Sequence, residues 1–387
     1  MSRIERILYI SFIGILFVVL FIYYNFILFL VWIIVIDFHS LGLRVVSLSL
    51  NSYRQLREEA ASDRMVEIDS ETSFHLLPKS KQVLNIAVQV LLVLIDLIKV
   101  VIVGLPILVR EFINVVIPKK LKNVSGQLAL VTGGGNGLGR EIALLLADKG
   151  CNIVVVDIDM RSAERTCDEL RSKNVKAFAY QVDVSSFGEV QALFSKVYGD
   201  IGPVDILINN AGLIHFTFLQ DSSEDDINKL IDVNVKSYIW TTKVALTKMM
   251  EQKRGHIVAI SSICGIYPHP WAVVYTASKH AVNGLMGALH EQLRLQGYAD
   301  HIRTTCVCPY YIATRQDVVD FLKKPRFKLL TTAYTARVIV DGILRNEHNV
   351  AVPPFFDLGI KLMHLFPMKI QHLVRDYIVR EYELNSM

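Results

Sequence analysis

Two long apolar stretches open the chain, and a different rhythm takes over after them. Residues 7–36 contain no Asp, Glu, Lys or Arg. As one helix this run is roughly 45 Å long against a hydrocarbon core of roughly 30 Å, so it can span a bilayer with tilt. It is about twice as long as a secretory h-region and no small-x-small cleavage site follows, which favours a retained anchor over residues 1–36. Residues 37–82 mix both charges and read as a polar linker. Residues 83–117 are apolar again, but Asp96 and Lys99 interrupt them and Pro106 adds a break. Each charge at mid-bilayer costs about 2.5–3.5 kcal/mol on insertion scales, which pairing across one helical turn lowers. The pattern predicts a re-entrant or interfacial segment rather than a second clean span. Lys119, Lys120 and Lys122 follow, a cytosolic-side signature that also attracts anionic headgroups.

From Gln127 short apolar runs alternate with helix-length segments. Strands are predicted at 128–132, 152–157, 175–183, 205–209, 256–261, 303–308 and 349–352, and the first helix at 138–149. Strands separated by helices predict an α/β fold, a doubly wound parallel sheet of the Rossmann type, over residues 124–353. The tail, residues 354–387, reads as an amphipathic helix interrupted at Pro367. It suits interfacial docking or packing on the domain equally well.

Composition narrows the class. The 387 residues are 52% hydrophobic and 20% charged, with a mean hydropathy of +0.37. A disordered chain, a small disulfide scaffold and a many-span transporter are excluded. The net charge of +4 is too balanced for nucleic acid as the main partner. The five cysteines show no Cys-x-x-Cys pair, and none of the 11 histidines has ligand spacing, so no metal is expected.

Between the first strand and helix stands Thr132-Gly133-Gly134-Gly135-Asn136-Gly137-Leu138-Gly139. Glycines let the backbone turn sharply against a pyrophosphate, and the helix N-terminus adds positive potential. Asp157 ends the second strand, where a carboxylate accepts from an adenosine ribose and repels a 2′-phosphate. That favours NAD(H); Arg140 and Arg161 keep NADP(H) open.

With Asp183 at a strand end, Asn209-Asn210-Ala211-Gly212, Asn234, Ser262 and Tyr275-x-x-x-Lys279, the sequence resembles the short-chain dehydrogenase/reductase family over about residues 124–345. The stretches Ile117-Pro118-Lys119-Lys120, Trp240-Thr241-Thr242-Lys243 and Cys308-Pro309-Tyr310 resemble its membrane-associated branch, the retinol dehydrogenase and 17β-hydroxysteroid dehydrogenase-like enzymes of the endoplasmic reticulum and lipid droplets. The basic run at Lys119, Lys120 and Lys122 and the odd number of cysteines predict a catalytic domain facing the cytosol. The resemblance implies cofactor contacts at Gly133, Asn136, Gly137, Leu138, Gly139, Asp157, Asp183, Val184, Asn210, Ala211, Gly212, Tyr275, Lys279, Pro309 and Thr314. A homodimer is implied by the family as well. Tyr310 replaces the family's common glycine, and Arg315-Gln316-Asp317 is more polar than the branch's usual continuation.

Alcohol oxidation needs a base for the hydroxyl proton while hydride leaves. Tyrosine, with a pKa of about 10, is a poor base at neutral pH. Lys279 one turn away is expected to favour phenolate at Tyr275. Ser262 is expected to hold the substrate oxygen, with Ser261 the alternative. The family implies that Lys279 also binds the nicotinamide ribose and that Asn234 positions a water relaying its proton; a buried helix-bonding amide is the other reading of Asn234. Tyr267, with Ser262 and Tyr275, is expected at the substrate. The flanking residues His215, Phe216, Ile263, Ile266, Pro268, Trp271, Tyr310 and Tyr311 are largely apolar or aromatic, which suits a lipophilic alcohol or carbonyl: a retinoid, a steroid or a fatty alcohol.

Overall fold

The computed structural model describes residues 119–314 and 328–379 continuously, with Val319 and a set of residues between Val88 and Arg110. The chain divides into two units, 1–118 and 119–387. In the first, the described residues are helical, Pro106 included, and nearly all exposed. Lys99 Nζ donates to Asp96 Oδ1 at 3.0 Å, the pairing expected from their spacing. Among the described residues no helix is long and apolar enough to cross a membrane. The anchor expected over 1–36 and the linker over 37–82 lie outside the described residues.

The second unit is built on seven parallel strands in the order β3-β2-β1-β4-β5-β6-β7. They are β1 (Leu128–Thr132), β2 (Asn152–Asp157), β3 (Ala177–Gln181), β4 (Ile206–Asn209), β5 (Gly255–Ile260), β6 (Ile302–Pro309) and β7 (Asn349–Val352). The central strands are buried throughout, which is why their sequences are continuous apolar runs rather than alternating ones. The helices are α1 (Gly137–Ala147), α2 (Met160–Arg171), α3 (Phe187–Asp200), α4 (Glu224–Ile231), α5 (Ser237–Glu251), α6 (Val273–Leu295), α7 (Thr332–Leu344), α8 (Phe355–Met363) and α9 (Met368–Val379). Ile142 and Leu146 of α1, Leu170 of α2 and Ile339 of α7 fill one face of the sheet. Phe194 of α3, Tyr238 and Met249 of α5 and Met286 of α6 fill the other.

Chain direction changes sides between β1 and β4, so a crevice opens at their carboxyl ends, where such sheets take ligands. Two local features shape it. Helix α1 starts without a side-chain cap from Asn136, leaving its first amides for an anion. Between α4 and α5, residues Asp232–Lys236 form a π-helical turn, a bulge often found at functional sites.

Pro367 separates α8 from α9, as expected of a residue that cannot donate to a continuing helix. Helix α8 packs on the domain through Phe356 and Ile360. Helix α9 leaves Met368, Ile370 and Leu373 exposed, next to exposed Leu365 and Phe366. The first half of the tail thus packs on the domain, as one of the two expectations had it.

Candidate active site

The glycine turn is locked from beneath. Gly133 has φ +60° and Gly137 φ +55°, a region open to glycine at little cost. A Cβ on Gly139 would stand 2.2 Å from the Gly133 carbonyl oxygen, so the strand and helix meet backbone to backbone. By contrast, nothing lies within 4 Å of where a Cβ on Gly137 would point. The turn is therefore closed toward the sheet and open toward the crevice, which fits a bound pyrophosphate.

Asn210 holds this shape. Its Nδ2 donates to the carbonyls of Thr132 and Gly133, both at 3.0 Å, while Thr132 Oγ1 accepts from the amides of Asn210 and Ala211. Its side chain thus works inside the turn. Asn209 ties β4 to Thr241 and Thr242 of α5. Asp157 Oδ2 accepts from the Gly135 amide at 2.9 Å and Oδ1 from the Asp159 amide at 3.1 Å. This puts the carboxylate at the edge of the turn, where the adenosine ribose is expected. Arg140 is paired with Glu141 and Glu169, leaving its guanidinium engaged. Asp183 Oδ1 caps the turn at Ser185, and Val184 is buried beside it. Pro309 ends β6, and Thr314 lies exposed beyond it.

Ser262, Tyr275 and Lys279 converge at the end of β5. The phenol lies near the Ser262 hydroxyl, which acts to lower its pKa, and Ser262 Oγ accepts from the Cys264 amide at 3.1 Å. Ser261 turns the other way and donates to the Lys279 carbonyl at 3.1 Å, which separates the two adjacent serines. Lys279 is 4% exposed. Its Nζ donates to the Ile260 carbonyl at 2.9 Å and sits over the rings of Tyr238 and Tyr275, 5.4 and 5.7 Å from their centroids.

The electrostatics differ from the expectation of a phenol made basic by its neighbour. Burial pushes Tyr275 well above its ordinary value, the Cys264 thiol adds to the rise, and only the Ser262 hydrogen bond opposes it. The ammonium faces the ring rather than the oxygen, so it does not offset the desolvation. Burial likewise brings Lys279 down to about 8, while the thiols of Cys306, Cys308 and Cys264 pull it back up. At neutral pH the site holds a protonated phenol and a mostly protonated amine.

Asn234 is fully buried in the π-turn. Its side chain accepts from the Leu213 amide at 2.7 Å and donates to the Leu213 carbonyl at 2.9 Å and to Ser278 Oγ at 3.1 Å. The buried-amide reading describes this side chain well.

Above the pair, Ile263, Cys264, Tyr310 and Ile360 form an apolar cluster joined by Ile266, Tyr267, Tyr275, Tyr311 and Phe356. Tyr310, at the family's glycine position, stacks on Phe356 at 4.8 Å and so seats α8 over the site. The Tyr267 hydroxyl reaches the Gln371 carbonyl of α9 at 3.5 Å. His269, packed among Phe216, Trp271 and Tyr311, is held neutral by burial, which lowers it to about 4. His215 sits at an exposed rim, 3.9 Å from Asp226. Sequence reasoning missed His269, Phe356 and Ile360 as parts of this wall, because none belongs to a motif. Among the described residues, no three His, Cys, Asp or Glu side chains gather as a metal site.

The short chain dehydrogenase model matches residues 127–321. Human 17-beta-hydroxysteroid dehydrogenase 13 is 34% identical over 287 residues, 73% of this chain and 91% of that protein. Rat estradiol 17-beta-dehydrogenase 11 is 33% identical over 270 residues, 69% and 89% of the two chains. Bovine short-chain dehydrogenase/reductase family 16C member 6 is also 33% identical, over 70% of this chain and 86% of its own. Among solved structures, a short-chain dehydrogenase/reductase from Burkholderia phymatum in complex with NAD aligns with a TM-score of 0.59 at 26% identity, covering 65% of this chain and 97% of that one. NAD+-bound xylitol dehydrogenase aligns at 0.53 and 26%, covering 60% and 99%. The chain belongs to the short-chain dehydrogenase/reductase family as an NAD(P)-dependent oxidoreductase of CH–OH groups, similar in sequence to the 17β-hydroxysteroid dehydrogenase branch.

Proposed function

We propose that the protein is a membrane-attached dehydrogenase interconverting a lipophilic alcohol and its carbonyl with NAD(H). The observation that carries this reading is the neighbouring Ser262 hydroxyl and Tyr275 phenol lying beneath an apolar wall. Such a wall favours a steroid, a retinoid or a long-chain fatty alcohol over a sugar. Similarity to proteins named as 17β-hydroxysteroid dehydrogenases makes a steroid the first substrate to test.

NAD+, when bound, supplies the hydride acceptor and a positive charge beside the phenol. In the proposed mechanism the open backbone at Gly133–Gly139 and the amides of α1 hold its pyrophosphate. Asp157 receives the adenosine ribose, and Asp183 and Val184 border the adenine. Pro309 and Thr314 border the nicotinamide. Ser262 holds the substrate oxygen in hydrogen-bond reach of Tyr275. Tyr275 would take the hydroxyl proton during oxidation only as phenolate, after releasing its own proton to solvent, and as neutral phenol would give its proton to the carbonyl oxygen during reduction. Lys279 carries the adjoining positive charge and reaches toward the nicotinamide ribose. Asn234 acts here by holding Leu213 and the catalytic helix in place.

The protonated state of Tyr275 favours a second reading, a carbonyl reductase, since a neutral phenol is a ready proton donor. An NADPH-linked retinaldehyde or ketone reductase is the form it takes.

Membrane attachment is proposed through residues 1–36, with 83–117 as an interfacial or re-entrant segment. The exposed apolar side chains of α9 and the preceding turn, with Lys361 and Lys369 nearby, suit the same surface. The endoplasmic reticulum membrane or a lipid droplet is the proposed location, with the domain facing the cytosol. Homodimerisation is proposed from the family alone.

The test is a panel assay of the full chain in membranes. Estradiol, retinol and hexadecanol are offered with NAD+ and NADP+, and the matching carbonyls with NADH and NADPH. Turnover of any of these lipophiles supports the enzyme reading. Turnover of none favours a non-catalytic scaffold retaining the fold.

A further inference from the structure

Ser278 precedes Lys279 in the catalytic helix and is fully buried. Its Oγ donates to the Tyr275 carbonyl at 2.7 Å and accepts from Asn234 Nδ2 at 3.1 Å. A helical serine bonded to a carbonyl in the preceding turn is ordinary. The second bond is what sets this one apart. Asn234 Oδ1 is fixed as the acceptor by the Leu213 amide, so both Nδ2 protons have assigned targets, the Leu213 carbonyl and Ser278. Ser278 therefore accepts from Asn234 on one lone pair and gives its one proton to the Tyr275 carbonyl. The relay runs in one direction through three separate elements: the segment after β4, the π-turn and the first turn of α6.

These elements meet around the Lys279 amine. A Cβ built on Gly212, the neighbour of Leu213, would be 3.4 Å from Asn234 Oδ1 and 3.6 Å from Lys279 Nζ. A small rotation of α6 about its axis would carry Lys279 Nζ away from the Ile260 carbonyl and the Tyr275 phenol away from Ser262. We propose that Ser278 is a positioning residue for this reaction, locking the rotation of α6 against the π-turn so that Lys279 is aimed correctly. The inference rests on the catalytic reading of Tyr275 and Lys279 above.

The test compares full-length wild type, Ser278→Ala, Ser278→Thr and Tyr275→Phe in membranes, using NAD+ and the alcohol with the highest turnover in the panel. Ser278→Ala is expected to lower kcat about tenfold or more, the scale expected of a small misplacement. KM for the alcohol is expected to stay within about twofold, because the apolar wall is untouched. The acid limb of the pH profile is expected to move to higher pH, since a rotated α6 takes the phenol away from Ser262, the group that lowers its pKa. Ser278→Thr keeps the hydroxyl and is expected to recover most of kcat. Ser278→Cys, similar in shape with a weaker hydrogen bond, gives the same reading should the alanine variant aggregate. A lower melting temperature with kcat and the acid limb unmoved would overturn the inference while leaving the catalytic reading intact. Wild-type turnover in Tyr275→Phe would instead remove the catalytic reading, and the inference with it.

Discussion

The Lys279 ammonium lies 5.7 Å above the centroid of the Tyr275 ring and gives its hydrogen bond to the Ile260 carbonyl, not to the phenol oxygen. This arrangement separates two jobs that the Tyr-x-x-x-Lys spacing merges. The amine is held by the end of β5, and the phenol lies near Ser262. Burial therefore sets the resting protonation of both.

Lys279 gives a stability signature with a defined sign. Burial depresses its folded pKa from 10.5 to about 8. Between those values the unfolded chain binds more protons than the folded one, so stability rises with pH across that window. Wild type is expected to gain roughly 3 kcal/mol relative to Lys279→Met between pH 8 and 10.5, and to gain nothing further above it. Denaturant unfolding of both proteins across this range checks it; parallel stability curves would contradict it.

The adjacent serines are expected to part company. Ser262→Ala removes the phenol's partner and is expected to lower kcat by about 10² or more. Ser261→Ala loses only a buried bond to the helix backbone, so it is expected to cost about 1 kcal/mol of stability with turnover largely kept. Steady-state kinetics and thermal melts of the two variants decide the assignment.

Cofactor choice is expected to depend on two carboxylates. Asp157→Ser removes the carboxylate at the edge of the glycine turn and is expected to raise NADP+ use relative to NAD+ by about tenfold or more. Adding Glu169→Gln weakens the pairing of Arg140 and is expected to raise that ratio again. An unchanged ratio in both variants would mean that the adenosine end lies elsewhere.

Two glycines make a paired control. Gly139→Ala drives a methyl into the Gly133 carbonyl and is expected to abolish NADH binding measured by fluorescence. Gly188→Ala, in α3 with nothing within 4 Å, is expected to leave binding unchanged and to stabilise the helix by about 0.5–1 kcal/mol.

Much of this was legible in the sequence because it is written in composition. The strands at 128–132, 152–157 and 349–352 match the structure at both ends; in the first two, burial of nearly every residue demands an unbroken apolar run. The 175–183 strand shrinks to Ala177–Gln181, because polar flanks carry no pairing signal. Pro367 marked the break between α8 and α9. The π-turn at Asp232–Lys236 was not legible: one extra residue in a helical turn leaves no mark on an apolar period. Nor was the sign of the Tyr275 shift, which depends on how completely Tyr310, Ile263 and α8 exclude water. Helical spacing brought Tyr275 and Lys279 together, but it said nothing of which way the amine would face.

The decisive comparison is NADH formation by the full chain and by Tyr275→Phe in membranes, with NADH binding followed by fluorescence on the same preparations. If Tyr275 moves the proton, the variant still binds NADH but turns over estradiol, retinol or hexadecanol at least about 10²-fold more slowly. Equal turnover in the two proteins would contradict the role given to Tyr275, and with it the proposed mechanism.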